Sequence, residues 1–415
     1  MNWSNGAAGI PIRQLTHLRD LLTGRPVTTP AMGSASVGRD DVDLSREWLA
    51  RRGEWYDPAP VRRYEKEFAS WNGSSHAFAF MGGRVALSAC IDALGLGPGD
   101  EVVLPGYTCV VVPNAFHYAG VEVVYADIEL QSYGLDAGSL RSRLTPRTRA
   151  VMVQHLYGLV SRDYQEVLDI AAERGLYVIE DCCHAAGAEF GGVRVGNRGH
   201  VAFYSSEQSK VFSTIQGGMA VTNDAAIAGR LQGYQAQAPC PDEDWIDRQL
   251  HTVALNYYQF KHPQRWWRGD LAVLRHGRKR VVSTTAGECD GIRPEHYGCR
   301  MPAPIAALGS HQLEKVDTTN ARRRGAAAHW NAWCEGAGYA PPVVVEGSVP
   351  VFLRYPVLVE PEKKGKRSWA KKELGVSLGV WFISHVHPAT RRVDGCPNAD
   401  EAVRRCVNLP CPLDE

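Results

Sequence analysis

From about residue 76 to residue 224 the sequence alternates short apolar runs with amphipathic segments. The apolar runs have the length of strands, and the segments between them carry apolar residues at helical spacing. Seven strands are predicted, at HAFAF (76–80), EVVLP (101–105), VEVVYAD (121–127), RAVMVQHL (149–156), LYVIED (176–181), VAFYSS (201–206) and GMAVTND (218–224). Strands separated by helices require right-handed crossovers, so the sheet should be mostly parallel and buried on both faces. The pattern therefore predicts an α/β domain.

The alternation of strands and helices ends after residue 224. Residues 225–295 are predicted to be helical with loops, and they contain a basic and aromatic run at 261–280. That run is typical of a solvated or subunit-contact arm, with an anion-binding rim as the alternative. The tail, from about Pro302, begins with a helix and continues with short strands such as FLRYPVLV (352–359). We predict a large domain over residues 1–300, with a helical insert at about 236–290, and a smaller C-terminal α+β domain over 301–415.

Composition narrows the class of function. The chain has 46 Lys and Arg residues against 45 Asp and Glu residues, a balance that argues against nucleic acid or an acidic membrane as the main partner. None of its 11 cysteines forms a CxxC pair, which argues against a zinc ribbon or a redox dithiol, and no metal site is predicted. The first 20 residues lack an apolar signal core, so we expect a cytoplasmic protein with reduced thiols.

Two polar residues stand at the ends of predicted strands, where ligands bind in an open parallel sheet. Asp181 ends one strand, and Lys210 follows another. A pyridoxal 5′-phosphate (PLP) enzyme needs a lysine amine for a Schiff base and a carboxylate that keeps the pyridine nitrogen protonated. An aspartate at a strand end is also common as a turn or cap residue. The small hydroxyl residues before Lys210 and the Gly-Gly pair after it favour the cofactor, because they offer phosphate ligands and room for a flat ring.

The chain as a whole resembles the DegT/StrS-type sugar aminotransferases. The matching segments, in the order in which that family has them, are VRRYEKEFASWNG (61–73), GGRVALSACIDALGLGPGDEVVLPGYT (82–108), VVYADIELQSYGLD (123–136), LTPRTRAVMVQHLYGL (144–159), GLYVIEDCCHAAGAEFGGVRVGNRGHVAFYS (175–205), SSEQSKVFSTIQGGMAVTND (205–224), CRMPAPIAALGSHQLEKVDTTNARRR (299–324) and NLPCPLDE (408–415). The resemblance implies the aspartate-aminotransferase-like fold, PLP as cofactor and a homodimer with the site at the subunit boundary.

The resemblance also assigns roles to single residues. Lys210 matches the Schiff-base lysine that moves the proton, and Asp181 matches the partner of the pyridine nitrogen. His184 stands where the family has Gln or His near the phenolic oxygen of the ring. Ser205 matches the phosphate-binding serine, and Gly83 matches the turn that presents N–H groups to the phosphate at a helix N-terminus.

Three residues depart from the family pattern. Arg84 replaces a Thr or Ser, Cys109 replaces an aromatic residue that covers the cofactor, and Val211 replaces an Asn. The guanidinium of Arg84 suits the PLP phosphate; the alternatives are an anionic substrate or an acidic neighbour on the helix. For Cys109 a small buried packing residue is favoured over a nucleophile.

The expected reaction is transamination of a small molecule. By analogy with the family, glutamate or glutamine donates the amino group and a keto-sugar, a nucleotide-linked keto-sugar or a keto-cyclitol accepts it. Glu207, on the loop before Lys210, is the candidate for binding a substrate hydroxyl, with a structural role as the alternative. Elimination or dehydration on the same cofactor, and a non-catalytic sensor or partner protein with the same fold, are the rival functions.

Overall fold

The computed structural model describes residues 36–258, 281–295 and 297–411. The predicted arm or rim at 261–280 lies outside the described residues. The helices are α1 (Arg39–Ala50), α2 (Pro58–Asn72), α3 (Gly83–Ala93), α4 (Val111–Tyr118), α5 (Ala137–Arg143), α6 (Tyr164–Arg174), α7 (Ala225–Gln237), α8 (Glu243–Asn256), α9 (Ala286–Cys289), α10 (Ala303–Leu313), α11 (Val316–Ala337), α12 (Pro361–Gly365), α13 (Ser368–Glu373) and α14 (Pro397–Arg405).

The strands form one large sheet and three small ones. They are β1 (His76–Phe80), β2 (Glu101–Pro105), β3 (Thr108–Cys109), β4 (Glu122–Ala126), β5 (Thr148–Gln154), β6 (Tyr177–Asp181), β7 (Glu189–Phe190), β8 (Val193–Arg194), β9 (Val201–Ser205), β10 (Gly218–Thr222), β11 (Ser348–Val349), β12 (Tyr355–Leu358), β13 (Val386–His387) and β14 (Cys406–Leu409). The large sheet has the order β1-β10-β9-β6-β5-β2-β4. Its pairs are parallel from β9 to β4, and only the pairs made by β10 are antiparallel.

Helices cover both faces of the large sheet. On one face α3, α4 and α7 bury apolar side chains such as Ile91, Phe116 and Leu231 against the strands. On the other face the core includes α2 and α6, and it continues into the C-terminal residues. Burial on both faces explains why β2, β9 and β10 are buried along their whole length. The predicted α/β class with a mostly parallel sheet is confirmed.

Two predicted elements differ from the structure. The sequence TCVVVPNAFHYAG (108–120) is predicted to be a helix despite Pro113. The helix begins only at Val111, because Thr108 and Cys109 pair as a short parallel strand with Val386 and His387. The helix predicted at the start of the tail, IAALGSHQLEKVDTTNARRRGAAAHWNAW (305–333), is two helices, α10 and α11. Where they meet, the side chain of Lys315 bonds the carboxylates of α1, at 2.8 Å from Asp40 and 2.7 Å from Asp41.

The C-terminal residues pack closely on the rest of the chain. Helix α10 lies against α1 and α2, and the N–H of Ala303 donates to the carbonyl of Trp55. Strands β12 and β14 pair in antiparallel fashion, and β11 joins β7 and β8 in a small sheet. The boundary near residue 300 stays a prediction. In the described ranges no helix has both the length and the apolar character needed to cross a membrane.

Candidate active site

A cavity of about 400 Å³ opens at the carboxyl ends of the parallel strands. All eight site residues predicted from the sequence line it: Gly83, Arg84, Cys109, Asp181, His184, Ser205, Glu207 and Lys210. They come from different strands and from the turns that follow them, which the parallel sheet brings to one edge. The structure therefore brings together the residues that the sequence selected, while their roles remain to be tested.

The first turn of α3 forms one wall of this cavity. Within the described chain no acceptor meets the main-chain N–H groups of Gly83 and Arg84, so two donors and the positive end of the helix dipole face the cavity. A Cβ on Gly83 would lie 2.9 Å from the Cβ of Ser205, and one on Gly218 would lie 2.3 Å from the carbonyl carbon of Gly82. The Gly-Gly pair after the lysine therefore lets β10 approach this turn, which is shaped to hold a phosphate.

Asp181 ends β6 with its carboxylate facing the cavity. Its side chain is 7% exposed, and its Oδ1 accepts a hydrogen bond from the N–H of Cys183 at 3.0 Å. Burial raises the pKa of Asp181, an effect that the hydrogen bond and the charge of Lys210 oppose. A protonated ring nitrogen beside this carboxylate would supply a cation in direct contact with it.

Lys210 reaches into the cavity from the loop after β9. Its Nζ lies 2.9 Å from Nε2 of His184 and 5.0 Å from the ring centroid of Trp381. The rings of His184 and Trp381 stack with centroids 4.8 Å apart at an angle of 10°. Lys210 is thus held over a flat, apolar surface, with one polar partner at its amine.

Arg84 is engaged by other protein groups. Its guanidinium forms an ion pair with Glu288 of α9 and donates to the carbonyl of Ser283. Glu288 is 2% exposed and also caps α9 together with Thr285. From the sequence, the PLP phosphate is the favoured partner of Arg84, and an acidic residue on the same helix is one alternative. The structure gives Arg84 an acidic partner, but this partner, Glu288, lies about 200 residues away in sequence. Contact of Arg84 with the phosphate stays a prediction.

Glu207 and Cys109 also line the cavity. The carboxylate of Glu207 accepts hydrogen bonds from the N–H of Ser209, at 3.0 Å, and from its hydroxyl, so part of its role is to shape the lysine loop. A substrate contact through the rest of this carboxylate stays a prediction.

Burial raises the pKa of the Cys109 thiol, and the nearby charge of Lys210 opposes this effect only in part. That direction favours a packing role over a thiolate nucleophile.

Two buried arginines near the lysine were missed from the sequence. Arg354, which is 2% exposed, donates to the carbonyl of Ser209 at 3.3 Å, and Arg323, which is 1% exposed, donates to the carbonyl of Val211 at 2.6 Å. Burial lowers the pKa of Arg354 to about 10 and that of Arg323 to about 9. The two guanidinium groups therefore hold the peptide groups on both sides of Lys210. A lone arginine inside the apolar run FLRYPVLV was the available signal for the first of them.

Three buried residues offer ligand atoms that could hold a metal, namely His155, Glu180 and Cys182, whose ligand atoms lie within 4.8 Å of one another. The oxygens of Glu180 already accept hydrogen bonds from several donors: the hydroxyl of Tyr164 at 2.6 Å and the N–H groups of Gly196 at 2.7 Å, Arg198 at 3.0 Å and Gly199 at 2.6 Å. These hydrogen bonds hold the 196–199 turn and occupy the carboxylate oxygens. Glu180 therefore has the contacts of a structural residue and not those of a metal ligand.

The cavity therefore brings together three features that PLP requires. In the described part of the chain, N–H groups without an acceptor at a helix N-terminus could hold the phosphate, a buried carboxylate could pair with the ring nitrogen, and a lysine amine could form the Schiff base. The glycine at position 83 leaves space where a larger residue would close the phosphate end. The residues present fit the cofactor.

Comparison with known proteins identifies the family of this chain. The sequence model of the DegT/DnrJ/EryC1/StrS aminotransferase family matches residues 40–414. GDP-perosamine synthase of Caulobacter vibrioides is 35% identical over 52% of this chain and 55% of that protein. L-glutamine:2-deoxy-scyllo-inosose aminotransferase of Streptomyces paromomycinus is 31% identical over 78% of this chain and 70% of that protein.

The fold is also that of solved aminotransferase structures. The aminotransferase TlmJ from Streptoalloteichus hindustanus superimposes with a TM-score of 0.71 at 22% identity, covering 92% of this chain and 93% of that chain. The predicted family, fold, enzyme class and cofactor are confirmed. This chain belongs to the DegT/DnrJ/EryC1/StrS family of PLP-dependent aminotransferases.

Proposed function

We propose that this protein transfers an amino group from glutamate or glutamine to the ketone of a sugar or cyclitol, with PLP bound covalently to Lys210. The observation that carries the proposal is the shared cavity of Lys210, Asp181 and the free N–H groups at Gly83 and Arg84. The cofactor supplies the electron sink of the reaction. The protein supplies its orientation and the movement of protons.

Each residue has one task in this proposal. The N–H groups of the first α3 turn and the hydroxyl of Ser205 bind the phosphate. The carboxylate of Asp181 would accept the hydrogen bond of the ring N–H and hold the ring nitrogen protonated, and this pairing would offset the cost of an unpaired carboxylate at a buried position. The amine of Lys210 would act as the general acid and base, moving a proton between the substrate carbon and the cofactor. The apolar walls of the cavity, such as Phe382 and Val111, exclude water from this proton transfer.

The relatives support the substrate class. One is named for a GDP-linked amino sugar, and another for L-glutamine as donor and 2-deoxy-scyllo-inosose as acceptor. The first name describes an amino sugar and the second describes transfer of an amino group to a cyclitol ketone, so both fit amination of a polyhydroxylated ring. The outer part of the cavity offers hydroxyl and amide groups that suit such a ring, including Ser283, Thr284, Thr285 and Gln216.

Dehydration is the rival reaction on the same fold. A solved GDP-4-keto-6-deoxymannose-3-dehydratase has a TM-score of 0.69 at 19% identity, which shows the shared fold alone. The amine of Lys210 lies in the cavity with its hydrogen-bond partner, and a chain that keeps this amine can return the proton that transamination requires. We therefore place transamination first. The same proposal includes a cytoplasmic homodimer with the site at the subunit boundary.

Spectra of the purified protein test the proposal directly. Each amino donor is added alone to the PLP-loaded protein, and conversion of the bound cofactor to its amine form is followed by absorbance. Glutamate or glutamine should convert it, and a keto-cyclitol or nucleotide-linked keto-sugar should then restore the original spectrum with an aminated product visible by mass. The Lys210→Ala protein is the control and should convert at least about a hundredfold more slowly. If no donor converts the cofactor, the proposed transamination is refuted.

A further inference from the structure

Residues 281–288, with the sequence VVSTTAGE, form a segment along the outer part of the cavity. One end of this segment is fixed by the N–H of Val281, which donates to the hydroxyl of Thr252 at 3.2 Å. The other end is fixed by the side chain of Asn114, which donates to the carbonyl of Glu288 at 2.7 Å. The segment follows the last strand of the large sheet in sequence, so its place at the cavity depends on contacts of this kind.

Arg84 holds the segment between these two ends. Its guanidinium donates to the carbonyl of Ser283 and forms an ion pair with the carboxylate of Glu288. A guanidinium carries five N–H donors in a fixed plane, so one side chain can hold two groups of a segment in a set relation. Arg84 lies in the first turn of α3, which packs against β9 and β10. The two contacts therefore tie the segment to the rigid part of the site.

Two hydroxyl groups of the segment remain available to a ligand. The hydroxyl of Thr285 is engaged in the cap of α9, where it accepts the N–H of Glu288 at 3.3 Å and donates to its carboxylate at 3.2 Å. Ser283 and Thr284 line the cavity and are partly buried, and their hydroxyls have no hydrogen-bond partner within the described part of the chain. A hydroxyl both donates and accepts, as the hydroxyls of a sugar or cyclitol do.

The charge of the segment distinguishes between the two substrates. Glu288 is the only charged residue in VVSTTAGE, and the ion pair with Arg84 neutralises it. An amino donor such as glutamate or glutamine carries a carboxylate, which requires a cationic partner when it leaves water. A neutral polyhydroxylated ring requires hydrogen-bonding groups and no charge. The segment therefore suits the ring of the acceptor and not the donor.

We propose that the hydroxyls of Ser283 and Thr284 bind hydroxyl groups of the keto acceptor, and that Arg84, paired with Glu288, is a positioning residue that holds them at the cavity. Arg84 then acts on acceptor binding without touching the acceptor. Binding of an acceptor rests on the proposed function, whereas the tether between Arg84 and the segment is a property of the protein by itself.

Amide hydrogen exchange of the PLP-free, full-length protein tests the tether without any substrate. We expect Arg84→Met and Glu288→Gln to raise exchange across residues 283–292 at least about fivefold, because each removes a contact that holds the segment. Exchange is followed over short times, at which the buried strand β2 stays protected, so that global unfolding does not contribute. Equal exchange of these residues in the wild type and both variants would overturn the tether.

A mutant cycle on the acceptor half-reaction tests the binding role. The protein carries the cofactor in its amine form, and the probe is the keto-cyclitol or nucleotide-linked keto-sugar that restores the PLP spectrum. The double variant Ser283→Ala and Thr284→Val should lower kcat/KM for this probe roughly tenfold to a hundredfold, mainly through KM, because it removes two hydrogen bonds. Thr319→Val removes a hydroxyl of α11 that does not line the cavity, and this control should leave kcat/KM unchanged.

Arg84→Met should lower kcat/KM for the probe by no more than the hydroxyl variant does, and should add less than about threefold when the two are combined. Glu288→Gln takes its place in the cycle if Arg84→Met does not fold. Effects that multiply would mean that Arg84 contacts a ligand directly, and would overturn its positioning role. An unchanged acceptor KM in the hydroxyl variant, or a larger rise in the KM of the amino donor, would overturn the binding role. If no acceptor restores the spectrum, the proposed function is refuted, and hydrogen exchange still decides the tether.

Discussion

The ion pair of Arg84 and Glu288 joins the first turn of α3 to α9, and a double-mutant cycle measures its contribution to stability. The two side chains are 19% and 2% exposed. At an effective dielectric of about 20, opposite charges at about 4 Å attract by roughly 4 kcal/mol, and desolvation reduces the net coupling to about 2 kcal/mol. Arg84→Met also removes the bond to the Ser283 carbonyl, worth about 1 kcal/mol. We therefore expect Arg84→Met to lower the free energy of unfolding by about 3 kcal/mol.

Urea denaturation of the PLP-free protein is the assay for the four members of the cycle: wild type, Arg84→Met, Glu288→Gln and the double variant. Glutamine at 288 keeps an acceptor for the Thr285 N–H, so the cap of α9 survives in the control. A coupling energy below about 0.5 kcal/mol would refute the reasoning. PLP titration of the same proteins separates the phosphate role. If Arg84 also binds the phosphate, Arg84→Met weakens PLP roughly tenfold to a hundredfold while Glu288→Gln does not; unchanged PLP affinity in Arg84→Met would refute that role.

Five further expectations concern the cofactor site and the assembly. Borohydride should fix PLP on Lys210, and mass mapping of the adduct to another lysine would contradict the assignment. Asp181→Asn should lower turnover at least about tenfold, since a buried charged hydrogen bond is worth roughly 1.5–3 kcal/mol, and unchanged turnover would count against it. Burial raises the pKa of Asp181, so the stability that the protonated carboxyl group contributes is lost as the pH rises through that pKa. The PLP-free Asp181→Asn protein should therefore resist urea better than wild type at pH 7, but no better than wild type at about pH 3. Cys109→Ser should keep turnover within a few-fold, and sedimentation should find a dimer, which an active monomer would exclude.

The sequence predicted the sheet and the edge where the site lies. The buried strands β2, β9 and β10 are short apolar runs, and this local signal is enough to find them because burial on both faces removes the polar alternation of a half-exposed strand. Asp181 was identifiable because it ends such a run, and Lys210 because it lies on the loop that follows one. Parallel strands then place their ends together without any further information.

What the sequence did not reveal depends on contacts between distant segments. The pairing of Thr108 with Val386 converts the start of a predicted helix into a strand, and nothing near residue 108 encodes it. Likewise Trp381 meets His184 across nearly two hundred residues, and Arg84 meets Glu288 across a similar separation. The left-handed conformation of Tyr157 is imposed by such contacts, since tyrosine has no local preference for it. These contacts require the folded chain.

The two arginines that hold the carbonyls of Ser209 and Val211 also bear on how the molecule unfolds. Arg323 belongs to α11, and Arg354 directly precedes β12, so both donors come from beyond residue 300. A fragment that ends near residue 300 would leave these carbonyls without their donors, and the loop around Lys210 would lose its shape even though the large sheet is complete. Amide hydrogen exchange should therefore show the loop and the C-terminal residues opening as one cooperative unit.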